Sequence, residues 1–352
     1  MARAIVTGTR VAQWATGATG RLALRAVIDS PDLELVGVRV YDETKIGRDA
    51  GDLADRPPTG VRATDNNYQI VTSKPDIVLY MGSVERHPDT CFRDVAHLLS
   101  CGIDVIATGS SFIDVYGFDP DRASLIEAAC VDGGASFLGV GLFPGFWGEA
   151  VAPVLSRLSY RCGEITVRES LSYAGYPSRE MMVDVMGYGH RPDSTSPILS
   201  DPERAGKAFV STASIIAKAL GLEVLACQPF RETVVADREL HVAFGVIPAG
   251  TVAAIKLGVR ADCGSTSICV EHVTWMSPDV MPEWSRAEGY EIEFGGAPTM
   301  RCNLVLGTRG EDHTEMGCLA TAMHAIHAIP AVRRAGSGVF DLADLDFRGA
   351  LR

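Results

Sequence analysis

Short apolar runs alternate with amphipathic segments over the first 140 residues. The segments 10–16 and 33–40 predict two strands, and residues 21–29 between them predict a helix. Ser30-Pro31 ends that helix, because proline disfavours helical backbone in the residue before it. The pattern continues with predicted strands at 76–81, 104–107 and 135–139 and predicted helices at 88–101 and 119–131. Strands that alternate with helices indicate a parallel, doubly wound sheet of the Rossmann type.

The pattern changes after Pro144-Gly145-Phe146. One helix is predicted to about residue 158, and residues 164–173 alternate with period two, which predicts a strand with one buried face. A helix at 201–220 precedes predicted strands at 231–236, 239–244, 251–261, 266–276, 289–294 and 299–306. Consecutive strands without helices between them predict a mostly antiparallel sheet in an α+β domain. A last helix is predicted at 315–329, ending at Pro330.

Composition and charge restrict the class of partner. The chain has 44 acidic and 32 basic residues, and its net charge of −12 repels nucleic acid and anionic lipid. No apolar run reaches the length of a membrane span, and MARAIVTGTR lacks the features of a signal peptide. Nine cysteines without a CxxC pair predict free thiols in the cytoplasm. His324-x-x-His327 lacks the glutamate of a zinc motif, so we expect no metal.

A glycine-rich turn follows the first predicted strand. Ala15-Thr16-Gly17-Ala18-Thr19-Gly20 is an A-x-G-x-x-G sequence that lacks only the first glycine of the dinucleotide fingerprint. Such glycines let a diphosphate approach the backbone, and the helix that follows supplies N–H groups. Residues Thr16, Gly17, Ala18, Thr19 and Gly20 are therefore predicted to bind NAD or NADP. The alternative is a tight turn without a ligand.

The residues after the second strand bear on the choice between the two cofactors. A carboxylate there binds the ribose of NAD, and Asp42 and Glu43 fit that role. An arginine there accommodates the 2′-phosphate of NADP, and Arg39 and Arg48 fit that role. The choice stays open, but Arg39 lies nearer the expected strand end, which favours NADP; Tyr41 is predicted to line the same site.

The other predicted strands also end in small or flexible segments. Ligands of open α/β sheets lie beyond the carboxyl ends of the strands. This rule adds a set of predicted cofactor contacts: Met81, Gly82, Thr108, Gly109, Ser110, Pro144 and Gly145. Each of these segments is equally typical of an ordinary turn between a strand and a helix.

Several stretches resemble a known family. They include LELVGVRVYDETKIGRDAGDL (33–53), GLFPGF (141–146), YPSREMMVDVMGYG (176–189) and LATAMHAIHAIPAV (319–332). The chain is similar to the dihydrodipicolinate reductase-like oxidoreductases, nearest to the 2,4-diaminopentanoate dehydrogenase and native amine dehydrogenase group. That resemblance implies a Rossmann domain at 1–148, a substrate and dimerisation domain at 149–314, and a C-terminal part at 315–352 whose helix returns to the Rossmann domain.

The resemblance also carries expectations about chemistry. It implies a homodimer that uses NAD(P)H to reduce an imine formed from a ketone and ammonia, or that runs the reverse reaction. The family's Asn-Ala-Ile-Pro is here His327-Ala328-Ile329-Pro330, which makes His327 a predicted cofactor contact. The family's catalytic glutamate follows the strand matching DVIATG, but here that stretch has no carboxylate until Asp114.

Three residues are candidates for moving a proton. Glu169 falls on the apolar face of the strand at 164–173, where a carboxylate suits a general acid or base; the alternative is an ion pair with an arginine. Tyr173 lies at the end of that strand, and Ser111 holds the position nearest the family's glutamate. A further expectation is an apolar pocket lined by Trp147, Trp275, Trp284, Phe146 and Met276.

Two functions are compatible with these residues. The first is an NAD(P)-dependent oxidoreductase that acts on the C=N or C=O bond of a small, largely apolar ketone, aldehyde, imine or amine. The second is a cofactor-binding sensor or structural dimer without turnover, which the missing glutamate favours.

Overall fold

The chain folds into two compact units. The computed structural model describes residues 8–176, 178–200, 202–280, 283 and 288–345. The first unit contains the described residues up to Phe146 and from Gly307 onward, and the second contains Trp147–Leu306. No helix among these described residues is long and apolar enough to cross a membrane.

A parallel sheet forms the centre of the first unit. Its strands before the second unit are β1 (Thr9–Trp14), β2 (Leu33–Arg39), β3 (Ala63–Thr64), β4 (Ile77–Tyr80), β5 (Asp104–Thr108) and β6 (Ser136–Val140). All neighbouring strands of this sheet run parallel. The predicted Rossmann-type fold of this part is confirmed, and the two-residue strand β3 is an addition.

Helices cover both faces of that sheet. They are α1 (Ala18–Asp29), α2 (Ala50–Ala54), α3 (Asn67–Thr72), α4 (Pro88–Ser100), α5 (Ser110–Ile113), α6 (Val115–Phe118) and α7 (Pro120–Gly133). Local signals fix their ends. The Asp119 carboxylate accepts hydrogen bonds from the first amides of α7, and Gly134 ends α7 with a left-handed backbone. Two apolar layers result, one on each face of the strands.

The second unit contains a six-stranded mixed sheet. An irregular helical segment, Leu142–Val151, leads into α8 (Ala152–Ser156), and α9 (Pro197–Ser200) and α10 (Pro202–Ala219) follow later. The strands are β7 (Arg161–Ser172), β8 (Ala226–Val235), β9 (Leu240–Val242), β10 (Gly245–Ile247), β11 (Val252–Asp262), β12 (Ser267–Trp275), β13 (Gly289–Ala297) and β14 (Met300–Leu304). The sheet order is β14-β13-β7-β12-β11-β8, and β9 and β10 form a separate hairpin.

One pairing in this sheet is parallel, that of β7 with β12, and the others are antiparallel. The predicted mostly antiparallel sheet is confirmed. Period two in β7 also holds, since Ile165, Val167, Glu169 and Leu171 are all buried.

The C-terminal part rejoins the first unit through α11 (His313–Arg334) and β15 (Gly338–Phe340). β15 pairs with β6 and completes a seven-stranded sheet of order β15-β6-β5-β4-β1-β2-β3. The prediction that the helix ends at Pro330 was wrong, because α11 continues for another turn. Proline removes one helical hydrogen bond, but Val332 is buried beyond it, and Arg333 donates to Asp104 Oδ2 at 2.7 Å.

Candidate functional site

The parallel strands of the first unit all have their carboxyl ends at one edge of the sheet. This topology brings together the turn after β1, Tyr41 after β2, Met81 and Gly82 after β4, and Gly109 and Ser110 after β5. Pro144 and Gly145 follow β6 at the same edge, and Arg39 and Thr108 are the last residues of β2 and β5. Most of the predicted cofactor contacts therefore share this edge, which is where open α/β sheets bind ligands.

The glycine-rich turn is tightly packed on one side and open on the other. A Cβ on Gly20 would lie 2.3 Å from the carbonyl oxygen of Ala15, so α1 approaches β1 closely here. A Cβ on Gly17 would have no neighbour within 4 Å. Gly17 is the N-cap of α1, and no side chain caps this helix start. The first amides of α1 are therefore open to an anion from outside the helix.

Ala15 occupies the position of the first glycine of the fingerprint. Its φ is +69°, in the left-handed region that favours glycine. The backbone bend that the fingerprint requires is thus present although the glycine is not.

Lys45 brings a positive charge to the turn. It belongs to a short 3₁₀ segment, Glu43–Lys45, and its Nζ lies 3.0 Å from the backbone oxygen of Thr16 and 3.3 Å from its Oγ1. The neighbouring Asp42 caps this segment by accepting from the Thr44 amide at 2.9 Å and from its hydroxyl at 2.7 Å. These hydrogen bonds hold the pKa of Asp42 below its usual value. No motif in the sequence points to Lys45 as a member of the site.

Arg39 lies in an aromatic setting at the end of β2. Its guanidinium is 4.2 Å from the centre of the Tyr41 ring and 5.6 Å from that of Trp14. Arg39 Nε donates to Asn67 Oδ1 at 2.9 Å, and Trp14 Nε1 donates to the Tyr41 hydroxyl at 2.9 Å. This arrangement is a flat, cationic surface at the sheet edge, held by cation–π contacts.

Asp94 on α4 accepts hydrogen bonds from residues of that surface and from neighbouring side chains. Its Oδ2 accepts from the hydroxyls of Tyr80 at 3.3 Å and Tyr41 at 3.4 Å, and its Oδ1 accepts from Asn67 Nδ2 at 3.2 Å. Burial raises the pKa of Asp94, because desolvation disfavours the charged carboxylate. Burial likewise raises the pKa of Tyr41 and Tyr80, which keeps both hydroxyls protonated. No motif or local pattern in the sequence points to Asp94.

The turn after β5 carries no glutamate of its own, but a carboxylate reaches it from the loop after β4. Glu85 Oε1 accepts from the Ser110 amide at 2.9 Å and from its hydroxyl at 3.1 Å. Gly109 has a φ of +124°, and a Cβ there would lie 2.5 Å from Val84 Cγ1. Ser111 is buried in α5, and the Asp114 carboxylate caps α6.

The two histidines of α11 differ in environment. His327 is exposed and lines a cavity of about 680 Å³ with Thr9 and Leu33, the first residues of β1 and β2. This places His327 at the amino ends of the strands, away from the glycine-rich turn. His324 instead contacts the carboxyl end of β6, since its Nδ1 is 2.9 Å from the Gly141 oxygen and its ring packs on Phe146. Burial lowers the pKa of His324.

A buried carboxylate–imidazole pair lies on one face of the second unit's sheet. Glu169 on β7 and His272 on β12 are neighbours in the register, and Glu169 Oε2 is 2.6 Å from His272 Nδ1. The ring of Tyr173 is 6.0 Å from the imidazole, and burial raises the pKa of Tyr173 well above its usual value. Glu169 thus pairs with a histidine rather than with the arginine we considered.

Two members of the predicted tryptophan pocket, Trp147 and Trp275, lie on opposite faces of the second unit's sheet. Trp147 packs against Tyr290 with ring centres 6.3 Å apart, and Tyr290 lies opposite Glu169 in the register of β13 with β7. Trp275 falls on the other face of β12 by period two, in an apolar cluster with Ala254 and Val273. Trp284 lies outside the described residues.

Within the described part of the chain, no group of three or more His, Cys, Asp or Glu side chains is placed to hold a metal ion.

Similarity to known proteins extends over nearly the whole chain. Residues 180–352 match the family described as 2,4-diaminopentanoate dehydrogenase C-terminal domain. Over 348 residues the chain is 28% identical to an amine dehydrogenase of Streptomyces virginiae, with 96% of each protein covered.

Solved structures show the same fold. An amine dehydrogenase from Mycobacterium smegmatis matches with a TM-score of 0.78 at 14% identity, covering 97% of both chains. Biliverdin reductase from Synechocystis sp. PCC 6803, solved with biliverdin and NADP⁺, matches with a TM-score of 0.51 at 12% identity, covering 91% of this chain and 98% of that one. The chain has the fold of Rossmann-type dehydrogenases, and its match to the C-terminal domain of 2,4-diaminopentanoate dehydrogenase and its likeness to an amine dehydrogenase agree with the resemblance that the sequence motifs carry.

Proposed function

We propose that the protein is an NAD(P)-dependent oxidoreductase of the amine dehydrogenase type, which reduces the C=N or C=O bond of a small, largely apolar substrate. One observation carries the proposal: the uncapped start of α1 and the Lys45 ammonium meet at a glycine-rich turn on the carboxyl edge of a parallel sheet. The likeness to the Streptomyces amine dehydrogenase over 96% of the chain supports the reaction class.

The turn fits the diphosphate of a nicotinamide dinucleotide. Gly17 leaves open space on the outer side of the turn, the first amides of α1 have no side-chain cap, and Lys45 supplies a compensating charge. When bound, the nicotinamide would give or take a hydride at the substrate carbon. The protein's own part is to bind and orient the cofactor at this edge and to manage the proton that accompanies the hydride.

We expect a preference for NADP(H). Arg39 ends β2 with its guanidinium stacked on Tyr41, where a 2′-phosphate would find a charged partner. Asp42, the carboxylate that would bind the ribose hydroxyls of NAD, is instead engaged with Thr44. Titration of intrinsic fluorescence with NADPH and NADH tests this, and a tenfold or greater preference for NADH would contradict it. Arg39→Leu should then weaken NADPH binding and leave NADH binding little changed.

The activity is tested with a panel of apolar ketones and aldehydes, with and without ammonium. NADPH oxidation that needs ammonium supports reduction of an imine, and oxidation without ammonium supports a carbonyl reductase. Tight cofactor binding without turnover on any member would instead support the sensor or structural dimer, which the buried Ser111 at the family's glutamate position favours.

A homodimer in the cytoplasm is part of the same proposal, implied by the family resemblance and by the free cysteines. Light scattering on the purified protein tests the oligomeric state. A mass of 37.6 kDa, that of one chain, at micromolar concentration would contradict the dimer.

A further inference from the structure

Gln13 on β1 is a polar side chain at a core position beside the glycine-rich turn. The residue is completely buried, and its Nε2 donates to the backbone oxygens of Ala15 at 3.0 Å and Trp14 at 3.3 Å. Because both carbonyl oxygens can only accept, the NH₂ group of the side chain must face them. The side-chain oxygen, Oε1, is buried and has no hydrogen-bond donor among the described residues.

An unpartnered amide oxygen in the core lowers the stability of the fold, so an apolar side chain would suit this position better. The surrounding layer is apolar, and Val11, two residues earlier on the same face of β1, is completely buried in it. Buried polar atoms without a partner are uncommon and occur chiefly where function requires the residue. We therefore looked for what the NH₂ group of Gln13 does.

The Ala15 carbonyl depends on Gln13 for its hydrogen bond. No other described residue donates to this oxygen, and a Cβ on Gly20 would lie only 2.3 Å from it, so the first turn of α1 packs directly against it. The φ of Ala15 is +69°, which is unfavourable for a residue with a Cβ. The hydrogen bond from Gln13 thus stabilises Ala15 in a conformation that alanine alone disfavours.

The direction of this carbonyl sets the direction of the next amide. The Ala15–Thr16 peptide is trans, and a trans peptide points its C=O and N–H in opposite directions. The Thr16 N–H therefore points away from Gln13. Neither this N–H nor those of residues 17–20 bonds to any residue that the structure describes. These consecutive amides form an anion-binding surface whose shape depends on the Ala15–Thr16 peptide.

We propose that Gln13 is a positioning residue for the cofactor, because it holds the Ala15–Thr16 peptide in the orientation that presents the amides of residues 16–20 to the diphosphate. The inference rests on the proposed function and adds a residue that lies outside the dinucleotide fingerprint. Gln13 acts through the Ala15 carbonyl. Since NADPH and NADH have the same diphosphate, Gln13 should contribute equally to the binding of both.

The experiment compares four forms of the full-length protein: wild type, Gln13→Met, Gln69→Met, and Gln13→Met combined with Ala15→Gly. Methionine is unbranched like glutamine but has no N–H donor. Gln69 is exposed on α3 of the same unit, so Gln69→Met controls for the substitution itself. Fluorescence titration gives the Kd for NADPH and NADH, and thermal unfolding gives the melting temperature. The cofactor KM and kcat are measured with the best ketone, and Gln13→Leu serves if the methionine variant does not fold.

Gln13→Met should raise the Kd for NADPH and for NADH by the same factor, at least about tenfold, because the peptide is free to turn its amides away. The cofactor KM should rise likewise, and kcat at saturating cofactor should stay within about twofold, because only binding is affected. The melting temperature should stay within about 4 °C of the wild type, because the Ala15 oxygen loses its donor while an unpartnered acceptor disappears.

The other two variants should separate position from composition. Gln69→Met should match the wild type in every measurement. In the double variant, glycine at position 15 adopts the left-handed backbone without help from Gln13, so about threefold of the lost affinity should return.

Wild-type affinity in folded Gln13→Met or Gln13→Leu would overturn the inference, as would a loss of affinity for only one of the two cofactors. A purely structural role would lower the melting temperature by more than about 4 °C, or prevent both variants from folding, and either result would also overturn it. Affinity that does not recover in the double variant would show that Gln13 does not act through Ala15. A wild-type protein that binds neither NADPH nor NADH would instead refute the proposed function.

Discussion

The two glycines of the turn at residues 15–20 should respond in opposite ways to the same added methyl group. In Gly20→Ala the new Cβ would lie 2.3 Å from the Ala15 carbonyl oxygen, whereas in Gly17→Ala it would meet nothing within 4 Å. Gly20 is therefore required by the packing of α1 on β1. Gly17 is required only if something approaches the turn from outside, which is what cofactor binding predicts.

The magnitudes follow from these contacts. To accept Gly20→Ala, α1 has to move away from β1 by about 0.7 Å or more, and overpacking of this kind costs about 1–3 kcal/mol. That lowers the melting temperature by about 2–4 °C for each kcal/mol in a domain of this size. Gly17→Ala changes an N-cap residue and should cost less than about 1 kcal/mol. If its methyl group occupies the space of a phosphate oxygen, the Kd for NADPH should rise at least about tenfold, or about 1.4 kcal/mol.

The assay measures thermal unfolding and NADPH titration on both variants and on Gly336→Ala. Gly336 lies in the same unit, and a Cβ there also meets nothing within 4 Å, so it controls for the substitution itself. Gly336→Ala should behave as the wild type in both measurements. Wild-type affinity in Gly17→Ala would refute the assignment of the diphosphate to this turn, and wild-type stability in Gly20→Ala would refute the packing argument.

Three further substitutions test other parts of the first unit. Ala15→Gly should raise the free energy of unfolding by about 1 kcal/mol, because Ala15 has a left-handed backbone that glycine adopts without steric strain. A melting temperature that is unchanged or lower would contradict this prediction. Lys45→Gln should weaken NADPH binding about fivefold or more and flatten its salt dependence, with Lys74→Gln as the control; equal salt slopes would exclude a phosphate contact. Asp94→Asn should have a higher melting temperature than the wild type at pH 7. Burial raises the pKa of Asp94 in the native state above the unfolded value of 3.8, so the wild type loses stability as the pH rises above 3.8. The difference in melting temperature between the two proteins should therefore disappear as the pH falls towards 3.8, and a difference that stays constant with pH would contradict this prediction.

Local patterns were sufficient to predict most of the architecture. The alternation of short apolar runs with amphipathic helices identified the parallel sheet, because strands buried on both faces contain few polar residues. Period two in the strand at 164–173 correctly placed Glu169 on a buried face, since alternation is a property of the backbone itself. The glycine spacing located the turn between β1 and α1 despite Ala15, because Ala15 adopts the left-handed backbone that glycine usually supplies and Gly20 allows the close approach of α1.

Contacts between residues that are far apart in the sequence could not be predicted from local patterns. His272 lies 103 positions from Glu169 in the chain, and nothing near either residue indicates the pairing. Lys45 reaches Thr16 across 29 positions, and only the return of the chain beside β1 brings them together. The predicted end of the last helix at Pro330 was wrong, because the burial of Val332 in the first unit outweighs the tendency of proline to end a helix.

The first unit is built from two separated stretches of chain, and this has a consequence for biosynthesis. On the ribosome, residues 147–306 emerge before α11 and β15, which cover one face and one edge of the first sheet. Until they emerge, the edge of β6 and the apolar surface beneath α11 are available to other chains, which is a known route to aggregation during synthesis. We expect nascent chains arrested near residue 310 to hold a completed second unit and to recruit chaperones through the unfinished first one.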